Sequence, residues 1–252
     1  MIEREDLDSI AILRLAHGKV SAMDTELLEA IEAAFDGAAG AAAIVLTGTG
    51  STFCAGVDLF RILDGKTAYV ERFLPVLSRA LLRVFGHPRP VVAAVNGHAI
   101  AGGCVLACAC DWRLMAAGSG RIGIPELRVG VPFPLAPLEI VRFTTGGAPL
   151  QQLVYAGVTL DPEAGRQHGL VDEVVPAARL LDRAIAVARQ LSAIPAAAFA
   201  HTKQTLRAPT LDRIQRRGPH ADVAVRAAWR SDECHAAIRA YLDRTLGKKP
   251  AG

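Results

Sequence analysis

The chain has 252 residues, 51% of them hydrophobic and 21% charged, which fits one large domain, or one domain with a small helical appendage, and excludes a disordered chain. A net charge of +3 argues against a nucleic-acid groove, since no dense run of Lys and Arg interleaves with aromatics; Arg213 to Arg217 and the Lys248-Lys249 tail read as solvated helix faces. Five irregularly spaced cysteines and the lack of a leader pattern lead to the expectation of a reducing cytoplasm, and the apolar runs, broken by Asn96, Gly97, His98, Gly102 and Gly103, hold no transmembrane helix.

In chain order, Ser9 to Ala16 reads as a strand. Asp24 then caps a helix whose Leu27, Leu28, Ile31 and Phe35 recur on one face. Ala42 to Thr47 is a buried strand, Gly48, Gly50 and Gly56 punctuate a loop, and Asp58 caps a turn or helix leading to the long helical segment Ala68 to Phe85. The same grammar repeats: Val91 to Val95 as strand, Asn96 to Ala101 as loop, Gly102 to Cys110 as a small-residue helix, then Asp111 to Ala116 as strand. Strands separated by helices argue for an α/β core with parallel pairing and right-handed connections. Past Pro134 the pattern is helical, apart from one short strand in Leu170 to Val175. A boundary near Pro176 therefore divides a core, residues 1–175, from a helical subdomain, 176–252, with helices expected at Ala177 to Leu191, Ala196 to Leu206 and Ala221 to Leu246.

Three features imitate functional motifs. Gly118-Ser119-Gly120-Arg121-Ile122-Gly123 matches a dinucleotide fingerprint, but Pro125 follows, so no helix is expected to continue there and receive a pyrophosphate. Cys104 and Cys108 near His98 suggest a metal, yet their spacing with Cys110 reads better as small apolar filler in a core helix. Cys54 has no legible His and Asn partners for nucleophilic catalysis.

The segments Phe53-Cys54-Ala55-Gly56-Val57-Asp58-Leu59 and Asn96-Gly97-His98-Ala99-Ile100-Ala101-Gly102-Gly103-Cys104 carry a more specific pattern. It continues through Cys110-Asp111, Ile122-Gly123-Ile124-Pro125-Glu126 and Gly169-Leu170-Val171-Asp172-Glu173-Val174-Val175. In order and spacing these resemble the crotonase superfamily, the enoyl-CoA hydratase/isomerase family, over almost the whole chain. The resemblance implies a spiral of repeated strand-helix units with a C-terminal helical trimerisation subdomain, and an acyl-CoA thioester as substrate with no permanently bound cofactor. It also implies a homotrimer or homohexamer, while the low net charge and the interrupted apolar runs lead to the expectation of no nucleic-acid or membrane partner.

By that resemblance the backbone N–H groups of Val57 and Gly102 stabilise negative charge on a thioester oxygen. The physics fits, because enolate formation loads charge onto that oxygen and fixed donors aimed there lower the barrier. Gly102 lets a ligand approach closely, at a helix N-terminus. Hydratase-type members carry two glutamates; here the first position is Val105 and the second is Glu126. Losing one of a cooperating acid-base pair forfeits on the order of 10²–10⁴-fold in rate, so hydration is disfavoured. One carboxylate suffices for a 1,3-proton shift, and the active-site pattern looks most like the Δ3,Δ2-enoyl-CoA isomerase branch.

The resemblance further places coenzyme A against Lys19 to Ala22 and against Ala55, Gly56 and Asp58, with Lys248 and Lys249 as candidates for its phosphates. Pro132, Phe133, Pro134 and Pro137 stand where many hydratases have a glycine-rich loop, which implies a differently shaped acyl pocket. Glu139 reads as an exposed or paired helix residue rather than a second catalytic carboxylate. Two rival readings stay open: another acyl-CoA reaction such as hydrolysis, decarboxylation or weak hydration, and a binding or scaffold protein without turnover.

Overall fold

A computed structural model describes residues 1–246. The elements run β1 (Ile2–Leu7), β2 (Ile10–Leu15), α1 (Thr25–Gly37), β3 (Ala43–Gly48), β4 (Thr52–Cys54), α2 (Leu59–Phe85), β5 (Val91–Val95), β6 (His98–Ile100), α3 (Gly102–Ala109) and β7 (Trp112–Ala116). There follow β8 (Ile122–Gly123), α4 (Glu126–Val129), α5 (Leu135–Thr145), α6 (Gly147–Ala156), β9 (Thr159–Leu160), α7 (Pro162–Gln167) and β10 (Glu173–Val175). A 3-10 turn at Ala177–Arg179 leads into α8 (Leu180–Ser192), α9 (Ala196–Trp229) and α10 (Asp232–Leu246).

Period-two alternation builds the main sheet, whose order is β1-β2-β3-β5-β7-β10, parallel from β2 onward with β1 antiparallel at one edge. Ile10, Ile12, Val45, Val92, Ala94 and Leu114 point to one face, where they pack on Leu180, Ala184, Ile185 and Ala188 of α8. Ala11, Leu13, Leu15, Ile44, Leu46, Ala93 and Val95 point to the other, beneath α1, α2 and α3. Because both faces are covered, the central strands read as continuous apolar runs.

A second, smaller sheet positions the loops. Its order is β4-β6-β8-β9, with β4, β6 and β8 parallel and β9 antiparallel. Each of its first three strands follows a long strand of the main sheet and precedes a helix, so three strand-loop-helix turns stack with their loops side by side. The expected loop Asn96 to Ala101 therefore contains β6, paired as Thr52↔His98 and Ala99↔Ile122.

Both expected caps form: Asp24 Oδ1 accepts from Leu27 N at 2.8 Å, and Asp58 Oδ1 accepts from Phe60 N and Arg61 N at 3.0 and 3.1 Å. That second cap starts α2 at Leu59, well ahead of the expected Ala68, and a non-helical Lys66 (φ 47°, ψ −143°) kinks the helix instead of ending it.

The C-terminal helices differ from expectation. Pro209 and Pro219 lie inside a continuous α9, although an interior proline removes a backbone hydrogen bond and costs about 3 kcal/mol or more. Anchors deep in the fold hold the first half of the helix: Lys203 Nζ and Arg207 Nη2 reach Asp111 at 2.7 and 2.9 Å, and Asp111 also accepts from Val91 N. The break falls instead at Arg230-Ser231, where Ser231 Oγ accepts from Cys234 N at 3.1 Å and opens α10. Of the segment past Pro176, α8 is built into the sheet packing, whereas α9 and α10 lie across α2, α4 and α5.

His87 sits in the core, 1% exposed, edge-on to Phe35, and neither ring nitrogen has a hydrogen-bond partner. Burial, reinforced by the positive charges of Lys203 and Arg83, depresses its pKa to about 4. The folded state thus holds a neutral ring while the unfolded chain protonates it below about 6.5, so stability falls as pH drops from about 6.5 toward 4. The expected size is on the order of 3 kcal/mol. Thermal melts of the native chain and His87→Phe from pH 7.5 to 4.5 check this; the native Tm should fall more steeply, and parallel curves would contradict it.

Candidate active site

The stacked loops approach so closely that side chains are excluded. A Cβ on Gly103 would lie 2.1 Å from the Cys54 carbonyl oxygen, which locks the start of α3 against β4. Gly56 adopts φ +86°, and a Cβ there would lie 2.6 Å from the Ile100 oxygen and 3.2 Å from Gly102 N. The two glycine loops are therefore in direct contact. Between them Ala101, the N-cap of α3, takes φ 52° and ψ −124°, a strained conformation for a residue with a side chain.

This packing leaves two backbone donors without acceptors. Met23 N donates to Gly56 O at 2.7 Å and Asp58 N donates to Met23 O at 3.0 Å, a parallel bridge that uses the groups on either side of Val57 and turns the Val57 N–H the other way. Gly102 is the first residue of α3, where an amide has no intrahelical acceptor. Neither N–H finds a protein acceptor among the described residues, and both residues line one cavity of about 650 Å³, mouth included.

Glu126 opens α4 on the same cavity; Pro125 is its N-cap, so the expectation that no helix follows Pro125 is corrected by this single turn. Proline is tolerated there because the first amides of a helix lack intrahelical acceptors anyway. Glu126 Oε2 is buried with no hydrogen-bond partner, and burial pushes the carboxyl pKa up to about 8 against a smaller opposing pull from its own backbone N–H. Among the described lining residues it is the one carboxylate. Val105 also lines the cavity, fully buried and unable to exchange a proton.

The remaining walls are apolar except for one phenol: Leu77 and Leu81 from α2, Val129, Val131, Phe133, Pro134 and Pro137 around α4 and α5, Trp229 closing α9 and Tyr241, with its hydroxyl, in α10. Sequence reasoning missed the four residues from α2, α9 and α10. The proline-rich Pro132 to Pro137 segment carried the one relevant signal, and it does shape this pocket.

Of the residues expected at coenzyme A, Ala55 lines the main cavity, while Lys19, Ala22 and Asp58 line a separate groove of about 740 Å³ with His17 and Phe60. Val57 and Leu59 border both, so the two spaces meet there. Gly56 lies at the loop contact rather than in either lining, and the Asp58 carboxylate is occupied as the α2 cap. Lys248 and Lys249 fall outside the described residues.

Glu139 is buried and doubly paired, accepting from Arg142 Nε at 3.1 Å and Arg213 Nε at 2.7 Å, and it does not line the cavity. Burial lifts the thiols of Cys54 and Cys110 to about 12, which keeps both protonated, and all five cysteines are free and buried. No group of three or more His, Cys, Asp or Glu among the described residues has metal-site geometry, and no described helix is long and apolar enough to cross a membrane. Gly118 to Arg121 forms a connection into β8, as expected for a plain turn.

A family model described as enoyl-CoA hydratase/isomerase matches residues 5–247. A relative from Thermus thermophilus carrying an enoyl-CoA hydratase name is 34% identical over 170 residues, 66% of this chain and 66% of that protein. Enoyl-CoA isomerase/hydratase fer4 of Mycosarcoma maydis is 32% identical over 148 residues, covering 59% of this chain and 54% of its own length. Both alignments thus span less than two thirds of the relative. The crystal structure of human mitochondrial Δ3,Δ2-enoyl-CoA isomerase superposes with a TM-score of 0.93 over 98% of this chain and 99% of that one, at 24% identity, which establishes the fold. The chain belongs to the enoyl-CoA hydratase/isomerase family, the crotonase superfamily.

Proposed function

We propose that this protein is an enoyl-CoA isomerase that converts a 3-enoyl-CoA to the 2-enoyl isomer. The Glu126 carboxylate takes the C2 proton, the electron pair moves onto the thioester oxygen, and that oxygen accepts from the N–H groups of Val57 and Gly102. The carboxylic acid then returns the proton at C4 of the dienolate, and the carbonyl re-forms with the double bond at C2. Donors of this kind are worth about 2.7–4 kcal/mol of barrier each. The observation that carries the reading is a lone carboxyl group in the cavity, its Oε2 free of any partner, facing a space where Val105 supplies no second acid or base.

Hydration would demand two groups acting together, one to deprotonate a water and one to protonate the carbon. An apolar Val105 also gives such a water nothing to hold it. Coenzyme A enters as part of the substrate, with no resident cofactor; its pantetheine runs from the cavity into the groove of Lys19 and Ala22 past Val57 and Leu59. On this reading the protein works in the cytoplasm, with its five reduced cysteines, as a homotrimer or a dimer of trimers.

Three outcomes follow from Glu126. With 3-enoyl-CoA substrates, Glu126→Gln should lose on the order of 10²–10⁴-fold in kcat, while the native chain acts only weakly on 2-enoyl-CoA; equal turnover by both proteins would remove Glu126 from the mechanism. Since the base must start ionised, kcat/KM should climb as pH rises to about 8 and level off beyond it, and a flat profile from pH 6 to 9 would contradict the assignment. The raised pKa also has a stability sign: proton binding favours the fold fully below about 4.5, and that advantage is gone once pH passes about 8. Glu126→Gln, neutral throughout, should therefore gain Tm over the native chain at pH 8.5 and not at pH 4.5, a measurement independent of turnover.

A further inference from the structure

The cavity does not end against bulk protein. Pro134 lines it on one side and on the other lines a second cleft of about 400 Å³, mouth included, which Leu74, Ser78 and Val225 border together with the charged Asp222 and Arg226 at its rim. Along α2 the two spaces share a face: Leu74 and Ser78 meet the cleft, Leu77 and Leu81 meet the cavity, and these positions follow helical spacing. On α9, Val225 borders the cleft, and Trp229, one turn later, borders the cavity. The two voids thus border neighbouring turns of the same two helices and share Pro134 as a common wall, with Trp229 on the cavity side.

Trp229 is held as a fixed wall. It is 2% exposed, and its indole Nε1–H donates to Pro132 O at 2.8 Å, which ties the ring to the segment that contains Pro134. A buried tryptophan whose N–H is satisfied in this way has no reason to swing aside. Apart from Glu126 and the Tyr241 phenol, the side chains of the walls present hydrocarbon, which suits an unsubstituted aliphatic chain and penalises a carboxylated one.

We infer that Trp229, backed by Pro134, is the end-stop that sets the longest acyl chain the cavity accepts, and that removing its indole joins the cavity to the outer cleft. This rests on the acyl-CoA reading above, and Trp229 acts on chain length rather than on proton transfer.

The test measures Kd for saturated acyl-CoA thioesters from butanoyl to hexadecanoyl, which bind without reacting, alongside turnover of 3-enoyl-CoA by the native chain. For the native chain, affinity should tighten about fourfold per added methylene and then stop or reverse at a defined length. In Trp229→Ala that limit should move to longer chains, and adding Val225→Phe to fill the outer cleft should move it back. Trp229→Leu, which keeps an apolar filler, should shift the limit by a smaller amount and serves if the alanine variant does not fold. An unchanged limit in a folded Trp229 variant overturns the inference, even where the native chain isomerises its substrate. A shifted limit with no isomerase activity supports the end-stop and sinks the isomerase reading alone. Failure of every thioester to bind the native chain removes both.

Discussion

The parallel pairing of β4, β6 and β8 in the small sheet is the constraint from which the rest of the site follows. It brings the loop before α2 and the loop before α3 into van der Waals contact, at positions where Gly56 and Gly103 leave no room for a Cβ. Neither Val57 N–H nor Gly102 N–H has a protein acceptor among the described residues, and both residues line the cavity. Buried amides without partners are rare because desolvating them is unfavourable. Here the opposing loops over-determine the arrangement, and the strained Ala101 shows where the backbone absorbs it.

Glu126 is the electrostatic counterpart of those donors. A carboxylate oxygen with no partner in an apolar cavity destabilises the folded chain whenever it ionises, and only its own backbone N–H offsets part of that: no arginine or lysine lines the cavity among the described residues. That isolation gives the group the basicity a proton carrier needs near neutral pH. Its surroundings are assembled from six separate stretches of the chain, with α9 and α10 reaching back over α2 and α4, so the C-terminal helices belong to the cavity as well as to the outer layer.

Much of this was legible in the sequence because it is encoded locally. Asp24 and Asp58 cap their helices, the glycine loops fall where strands give way to helices, and Val57, Gly102 and Glu126 do line one cavity. What could not be read depends on distant partners. β1 carries the polar run Glu3 to Asp6, whose exposed edge position erases the alternation that marks a strand. The sequence pattern predicts separate helices at Ala196 to Leu206 and Ala221 to Leu246, whereas α9 runs on through Pro209 and Pro219, its first half held by Lys203 and Arg207 on Asp111, far away in sequence. Trp229 and Tyr241 sit among alanines and charged residues with no local sign that they face a cavity, and only the folding of α9 and α10 over α2 puts them there.

The central claim is that the two free amides hold and polarise a thioester carbonyl. Its most direct test is the infrared stretch of that carbonyl, isotope-labelled in a saturated acyl-CoA, free in water and bound to the protein. Two aimed donors should move the band to lower frequency than in water, whereas a band at the same or higher frequency, as for a carbonyl in a merely apolar pocket, would contradict the account.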